Sequence, residues 1–155
     1  MADDPTIAAA RDVLAHGLDE LRRGVAGLTV DELNARPAGG DTNPVAVIVA
    51  HALGSTHSWL GVATGAPLPP RDRPAEFRTV AGDGFADEVE DGIAACLALL
   101  GDATFDPGRE GFAPWRTDGA DEPVTAAFAL LHAVAHLGEH VGHLHMTREL
   151  LRPGG

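Results

Sequence analysis

Near the C-terminus the chain reads Leu131-His132-Ala133-Val134-Ala135-His136-Leu137-Gly138-Glu139-His140-Val141-Gly142-His143-Leu144-His145, holding five of its eight histidines in a largely apolar run. At about 100° per residue, His132, His136, His140 and His143 fall on one face of a helix. Leu130, Val134, Leu137, Val141 and Leu144 form the adjacent stripe, and His145 points away. Neutral imidazoles at i and i+4 on one helical face can hold a single divalent ion. Such an ion needs at least one more ligand from elsewhere. His51 is the candidate, being the only ionisable side chain between Pro44 and Ser55. Burying these rings without partners would cost roughly 1–3 kcal/mol for each nitrogen left unpaired. A metal relieves that cost by taking one nitrogen of each ring. Spacing alone leaves the pair open, because His132 and His136 are separated as His136 and His140 are.

The elements that must position these rings read as helices. Asp4-Pro5 caps and opens a first helix carrying Ile7, Leu14, Leu18, Leu21, Val25 and Leu28 at helical spacing, with His16 on its surface. Thr29-Val30-Asp31-Glu32 has the form of a capping box and predicts a short segment to about Ala35. Asn43-Pro44 predicts a second long helix, capped by Asn43, running to about Ala63 and apolar nearly all round. His57 on this helix points away from His51. The stretch from Gly65 to Gly82, rich in Pro and Arg, reads as a crossover. Asp83-Gly84 then begins a third long helix with Phe85, Val89, Ile93, Cys96, Leu97 and Leu100 on one face. An irregular stretch from Asp102 to Ala120 follows, and Pro123 opens the last helix, to about Leu150. With no strand alternation, the expected fold is all-α: one four-helix bundle domain over residues 1–155, with a long crossover between long helices 2 and 3.

Composition narrows the partners. The chain has 155 residues, 11 basic against 23 acidic, and a formal charge of −12. That balance argues against nucleic acid and anionic membrane surfaces. No apolar run approaches bilayer length in this reading and the acidic N-terminus is unlike a signal peptide, so a cytoplasmic location is expected. The one cysteine, Cys96, sits among apolar neighbours and reads as a small buried hydrophobe.

Several segments resemble, in order and spacing, those of the DinB-like superfamily of small bacterial metal-binding helical bundles. That group is related to thiol-dependent S-transferases and the mycothiol-dependent maleylpyruvate isomerase. Gly27-Leu28-Thr29-Val30-Asp31-Glu32-Leu33 with Arg36-Pro37 resembles its first connection, and Asn43-Pro44-Val45-Ala46 leading to His51 its second helix. Asp72-Arg73-Pro74-Ala75-Glu76-Phe77 is similar to a crossover segment in some branches. His136-x-x-x-His140-x-Gly142-His143 with Thr147-Arg148 matches the His-x-x-x-His-x-Gly-Gln pattern closing the last helix, except at its final position. The resemblance implies His51, His136 and His140 as metal ligands, and a homodimer. His143 stands where Gln is common and His132 is additional, and either can join or replace a ligand.

Three neutral nitrogens leave a divalent ion its charge and an open position, the pattern of a catalytic site. Zinc is the expected metal, with nickel or iron as alternatives. The resemblance implies a low-molecular-weight, mycothiol-like thiol as cosubstrate, activated to attack a small electrophile in a transfer or isomerisation. Ser55, Trp59, His132 and His143 are expected to shape the pocket or orient the ligands, with core packing the plainer role for Trp59. Arg71 and Arg73 read as solvated loop charges or as grips for a substrate carboxylate. Two other classes stay open: a metal-dependent hydrolase with Glu139 as base, and a non-enzymatic metal-binding or stress-response protein.

Overall fold

Proline at the first position starts helix α1 (Pro5–Val25), whose Leu14, Leu18 and Leu21 are fully buried. The computed structural model describes residues 5–37, 39–101 and 105–152, so the expected Asp4 cap lies outside the described residues. Helix α2 (Val30–Asn34) carries the complete capping box, with Thr29 and Glu32 each bonding the other's backbone N–H.

Helix α3 (Val45–Thr64) is capped by Pro44, with no side-chain cap, so Asn43 does not play the part expected of it. Its 20 residues have a mean hydropathy of 1.3 and are long and apolar enough to cross a membrane by length and composition, which corrects the reading that no such run exists. The reason for that composition is burial, since 78% of its 18-residue apolar stretch is buried inside the protein. The proline-rich crossover is not wholly irregular. Asp72 accepts from the Ala75 backbone N–H and, with Pro74 in the first turn, nucleates the short helix α4 (Arg73–Glu76). Helix α5 (Phe85–Gly101) buries Phe85, Val89, Ile93, Cys96 and Leu100, whereas Leu97 turns outward and is 39% exposed.

Two short strands also depart from the helical expectation. β1 (Glu110–Gly111) pairs antiparallel with β2 (Val124–Thr125), setting Glu110 opposite Thr125 and Gly111 opposite Val124. That pairing draws Val124 and Thr125 out of the last helix. Thr125 becomes its N-cap, accepting from the Phe128 N–H at 3.2 Å, and α6 (Ala126–Leu150) starts later than Pro123.

The long helices α1, α3, α5 and α6 form the bundle, and α6 packs most extensively on α3. α1 meets α6 closely at Gly24, where an added Cβ would strike the Leu144 side chain. Arg148 fastens the same end. Its guanidinium donates to the carbonyls of Arg23, Gly24 and Ala26, satisfying groups that the last turn of α1 leaves free. Leu130, Leu137 and Leu144 are buried as the stripe beside the histidines requires.

Candidate metal centre

Because α3 and α6 lie face to face, His51 from one meets His136 and His140 from the other. The ring of His51 is 5.4 Å from that of His136 and 4.8 Å from that of His140, and the latter two are 4.4 Å apart. One ring nitrogen from each falls within 4.8 Å of the others, so the three histidines are positioned to hold a metal ion. Nε2 of His136 and Nε2 of His140 are 3.4 Å apart. Ligands of a tetrahedral zinc at about 2.0–2.1 Å are separated by about 3.3–3.4 Å, so this pair has the spacing of two ligands on one ion. The Nδ1 atoms of His136 and His140 are buried and have no hydrogen-bond partner among the described residues.

Electrostatics prepare the same rings. Burial foremost, aided by the neighbouring imidazoles, pushes His136 and His140 down to about 4. Both are therefore neutral near pH 7, with a lone pair free for a cation.

His51 alone has a second partner. Its Nδ1 lies 2.8 Å from Glu76 Oε2 at the end of α4; His51 is buried and Glu76 largely covered. Arg71 grips the same carboxylate, Nε to Oε1 at 2.6 Å and Nη2 to Oε2 at 2.7 Å. Burial acts to raise the Glu76 pKa, but the hydrogen bonds from His51 and Arg71 and the guanidinium charge outweigh it, so the carboxyl stays below its usual range. Gly54 leaves the room for this carboxylate, since a Cβ there would meet Glu76 Oε1. Phe77 packs on His51 with ring centroids 4.7 Å apart, and the Arg73 guanidinium sits 5.1 Å over the Phe77 ring.

These contacts revise the reading of the crossover. Arg71 is neither a solvated charge nor a free grip for substrate, because its side chain is 6% exposed and committed to Glu76. Arg73 remains exposed. Glu76 is not among the candidates that spacing points to: it ends a capped Asp-x-Pro turn inside the segment that resembles a family crossover, and nothing local says that the turn lands on His51.

The histidine ladder on α6 divides by neighbour. His132 packs on Trp59, with ring centroids 4.2 Å apart, and stacks on Phe128 at 5.8 Å and on His136 at 5.7 Å, but it is not one of the three that converge. His143 lies on the rim, its ring 5.6 Å from that of His140. Ser55 and Trp59 are buried on α3, and Trp59 also meets Trp115 edge to face at 5.6 Å. His16 is exposed as expected, and exposed His145 pairs with Glu20 at 3.1 Å.

Two cavities meet at His51 and His136, both bordered by Arg73 as well, and His140 faces the larger of them. The larger, about 650 Å³, is walled by Val47, Phe77, Glu139, His143 and Met146. The smaller, about 330 Å³, is walled by Ser55, Trp59, Trp115, Phe128, His132 and Arg116. Cys96 lies elsewhere, fully buried, with its thiol pushed up to about 12 by burial, so the expectation of an inert core residue holds.

The family model of the DinB superfamily matches residues 13–144. No curated protein matches the chain. Among solved structures, a conserved protein from Enterococcus faecalis is similar, at 17% identity and a TM-score of 0.66, over 93% of this chain and 95% of that one. At that identity the likeness speaks for the fold alone.

Proposed function

The chain belongs to the DinB superfamily, and from that premise we propose that it is a metalloprotein in which His51, His136 and His140 hold one divalent ion, zinc first. We propose further that it serves a transferase or isomerase reaction in which a low-molecular-weight, mycothiol-like thiol attacks a small electrophile. The observation that carries the reading is the convergence of three imidazole nitrogens from two helices within 4.8 Å, at the junction of two cavities. When bound, such an ion supplies a Lewis acid with an open position that acidifies a thiol or a water.

The chain's own residues supply the rest. Neutral His136 and His140 leave the charge of the ion undiminished. Apolar and aromatic side chains (Phe77 on one side, Trp59, Trp115 and Phe128 on the other) line the two cavities and offer contact surface to the carbon frame of a substrate. Arg73, Arg116 and Asp118 border the smaller cavity and give it charged groups of both signs for a polar electrophile. Glu139 borders the larger cavity beside the triad, and this favours, as a second reading, a hydrolase with that carboxylate as base.

The test is to incubate metal-loaded protein with an electrophile in the presence and absence of a series of thiols. Turnover that requires a thiol is the expected result. Turnover without one selects the hydrolase. Metal binding with neither leaves a binding protein and overturns the catalytic part of the proposal.

A further inference from the structure

The three imidazoles at the centre are held unequally. His136 and His140 have buried Nδ1 atoms with no partner among the described residues, so nothing beyond their helix and packing fixes those rings. His51 Nδ1 instead meets a carboxylate that is itself fixed by a two-pronged guanidinium. A carboxylate is an acceptor only, so the proton of this hydrogen bond belongs to Nδ1 and the lone pair of the neutral ring is on Nε2. Arg71 Nη2 lies 3.4 Å from His51 Nδ1, and since both are donors they do not bond each other. Glu76 Oε2 receives both.

We propose that Glu76, gripped by Arg71, is the positioning residue of the metal centre: it accepts the His51 Nδ1 proton and so presents Nε2 to the ion. The assignment rests on the ligand reading above and goes beyond it, placing the control of one ligand on a segment outside the bundle. Three features support it. The Glu76 and Arg71 side chains are 11% and 6% exposed, so the contacts form away from competing water. The bidentate fork leaves the carboxylate one orientation, unlike a single hydrogen bond about which it could swing. Gly54, one turn beyond His51 on α3, lacks the Cβ that would push the carboxylate away. A carboxylate behind a ligating histidine orients the ring and raises its basicity, and removing one typically lowers metal affinity by about 10–100-fold.

Two variants test this. Glu76→Gln keeps the shape and an acceptor but drops the charge. The double variant Arg71→Met with Glu76→Leu removes the acceptor without leaving a buried cation unpaired. Long-range proton–nitrogen NMR correlations on the metal-free protein report the His51 tautomer, a signature that a merely structural role would not move. Zinc affinity is read by competition with a chromophoric chelator. The wild-type ring is expected to carry its proton on Nδ1. In the double variant both tautomers populate and zinc affinity falls about 10–100-fold, with a smaller loss in Glu76→Gln. The proposal is overturned if the wild-type proton sits on Nε2 or is shared. It is equally overturned if the double variant, folded by circular dichroism, binds zinc within threefold of wild type. Should the double variant not fold, unchanged affinity in Glu76→Gln together with an Nε2-protonated ring overturns it, and an Nδ1-protonated ring with weakened affinity supports it. His140→Ala separates this outcome from failure of the ligand reading: if that variant keeps its zinc, the three-histidine site itself is wrong, whatever Glu76 does.

Discussion

His136 and His140 stand one turn apart on α6 with their Nε2 atoms 3.4 Å from each other, whereas His132, one turn earlier, has its ring against Trp59. The repeat in sequence is uniform, and the partner on α3 breaks it. His51 faces the later pair and Trp59 the earlier ring.

Replacing His140 or His136 by Ala should therefore abolish metal loading, while His132→Ala should leave it intact. Elemental analysis of purified variants checks this. Wild-type loading in His140→Ala, or lost loading in His132→Ala, would mean that a different set of rings holds the ion.

Acid should act on the metal-free protein in a defined window. His136 and His140 have folded-state values of about 4, below the ordinary 6.5. Between those limits the unfolded chain binds more protons than the folded one, so their contribution to stability rises with pH. It is present above about 6.5 and lost as pH falls toward 4. Urea midpoints at pH 7.5, 5.5 and 4.5 should drop more steeply for wild type than for a variant with both residues changed to Gln. Parallel lines would refute the assignment. By the same sign, protons compete weakly for these two rings until pH approaches 4.

Cys96 should be silent in the native state. Its fully buried thiol, raised to about 12, is expected to resist a disulfide reagent at pH 8 until denaturant is added. Cys96→Ala should keep its metal and its turnover within twofold, at a cost of about 1 kcal/mol in urea unfolding. Rapid labelling of the folded protein would contradict the packing described for α5.

Gly24→Ala tests the closest approach of α1 to α6. The new methyl would collide with Leu144, and overpacking of this kind costs about 1–3 kcal/mol. The expected result is a lower urea midpoint with unchanged metal stoichiometry, since neither Gly24 nor Leu144 supplies a ligand. An unshifted midpoint would show that the helices part freely there.

Much of this arrangement can be read from residue order. Apolar residues at helical spacing mark all four long helices, because each has a face that only a bundle can bury. Thr29 and Glu32 announce their box within four residues of sequence. The convergence of His51 with the α6 histidines is legible because the apolar run from Pro44 to Ser55 holds one ionisable ring, which demands a partner. What escapes is set by contacts between distant segments. The α4 turn is too short to show a period, so the path from Glu76 to His51 leaves no local trace. The true start of α6 depends on Val124 and Thr125 pairing with residues 110 and 111. Leu97 faces outward although its neighbours fit a buried stripe, since the width of that stripe is decided by what packs on it.

The burial of α3 has a consequence for biosynthesis. A stretch of 20 residues with the hydropathy of a bilayer segment leaves the ribosome before α5 and α6, which enclose it, have been made. Until the final helix is translated, this apolar segment lacks the partner that covers most of it. Premature termination anywhere between residues 65 and 125 would strand it permanently, so truncated products should be insoluble or proteolysed while the full chain is not.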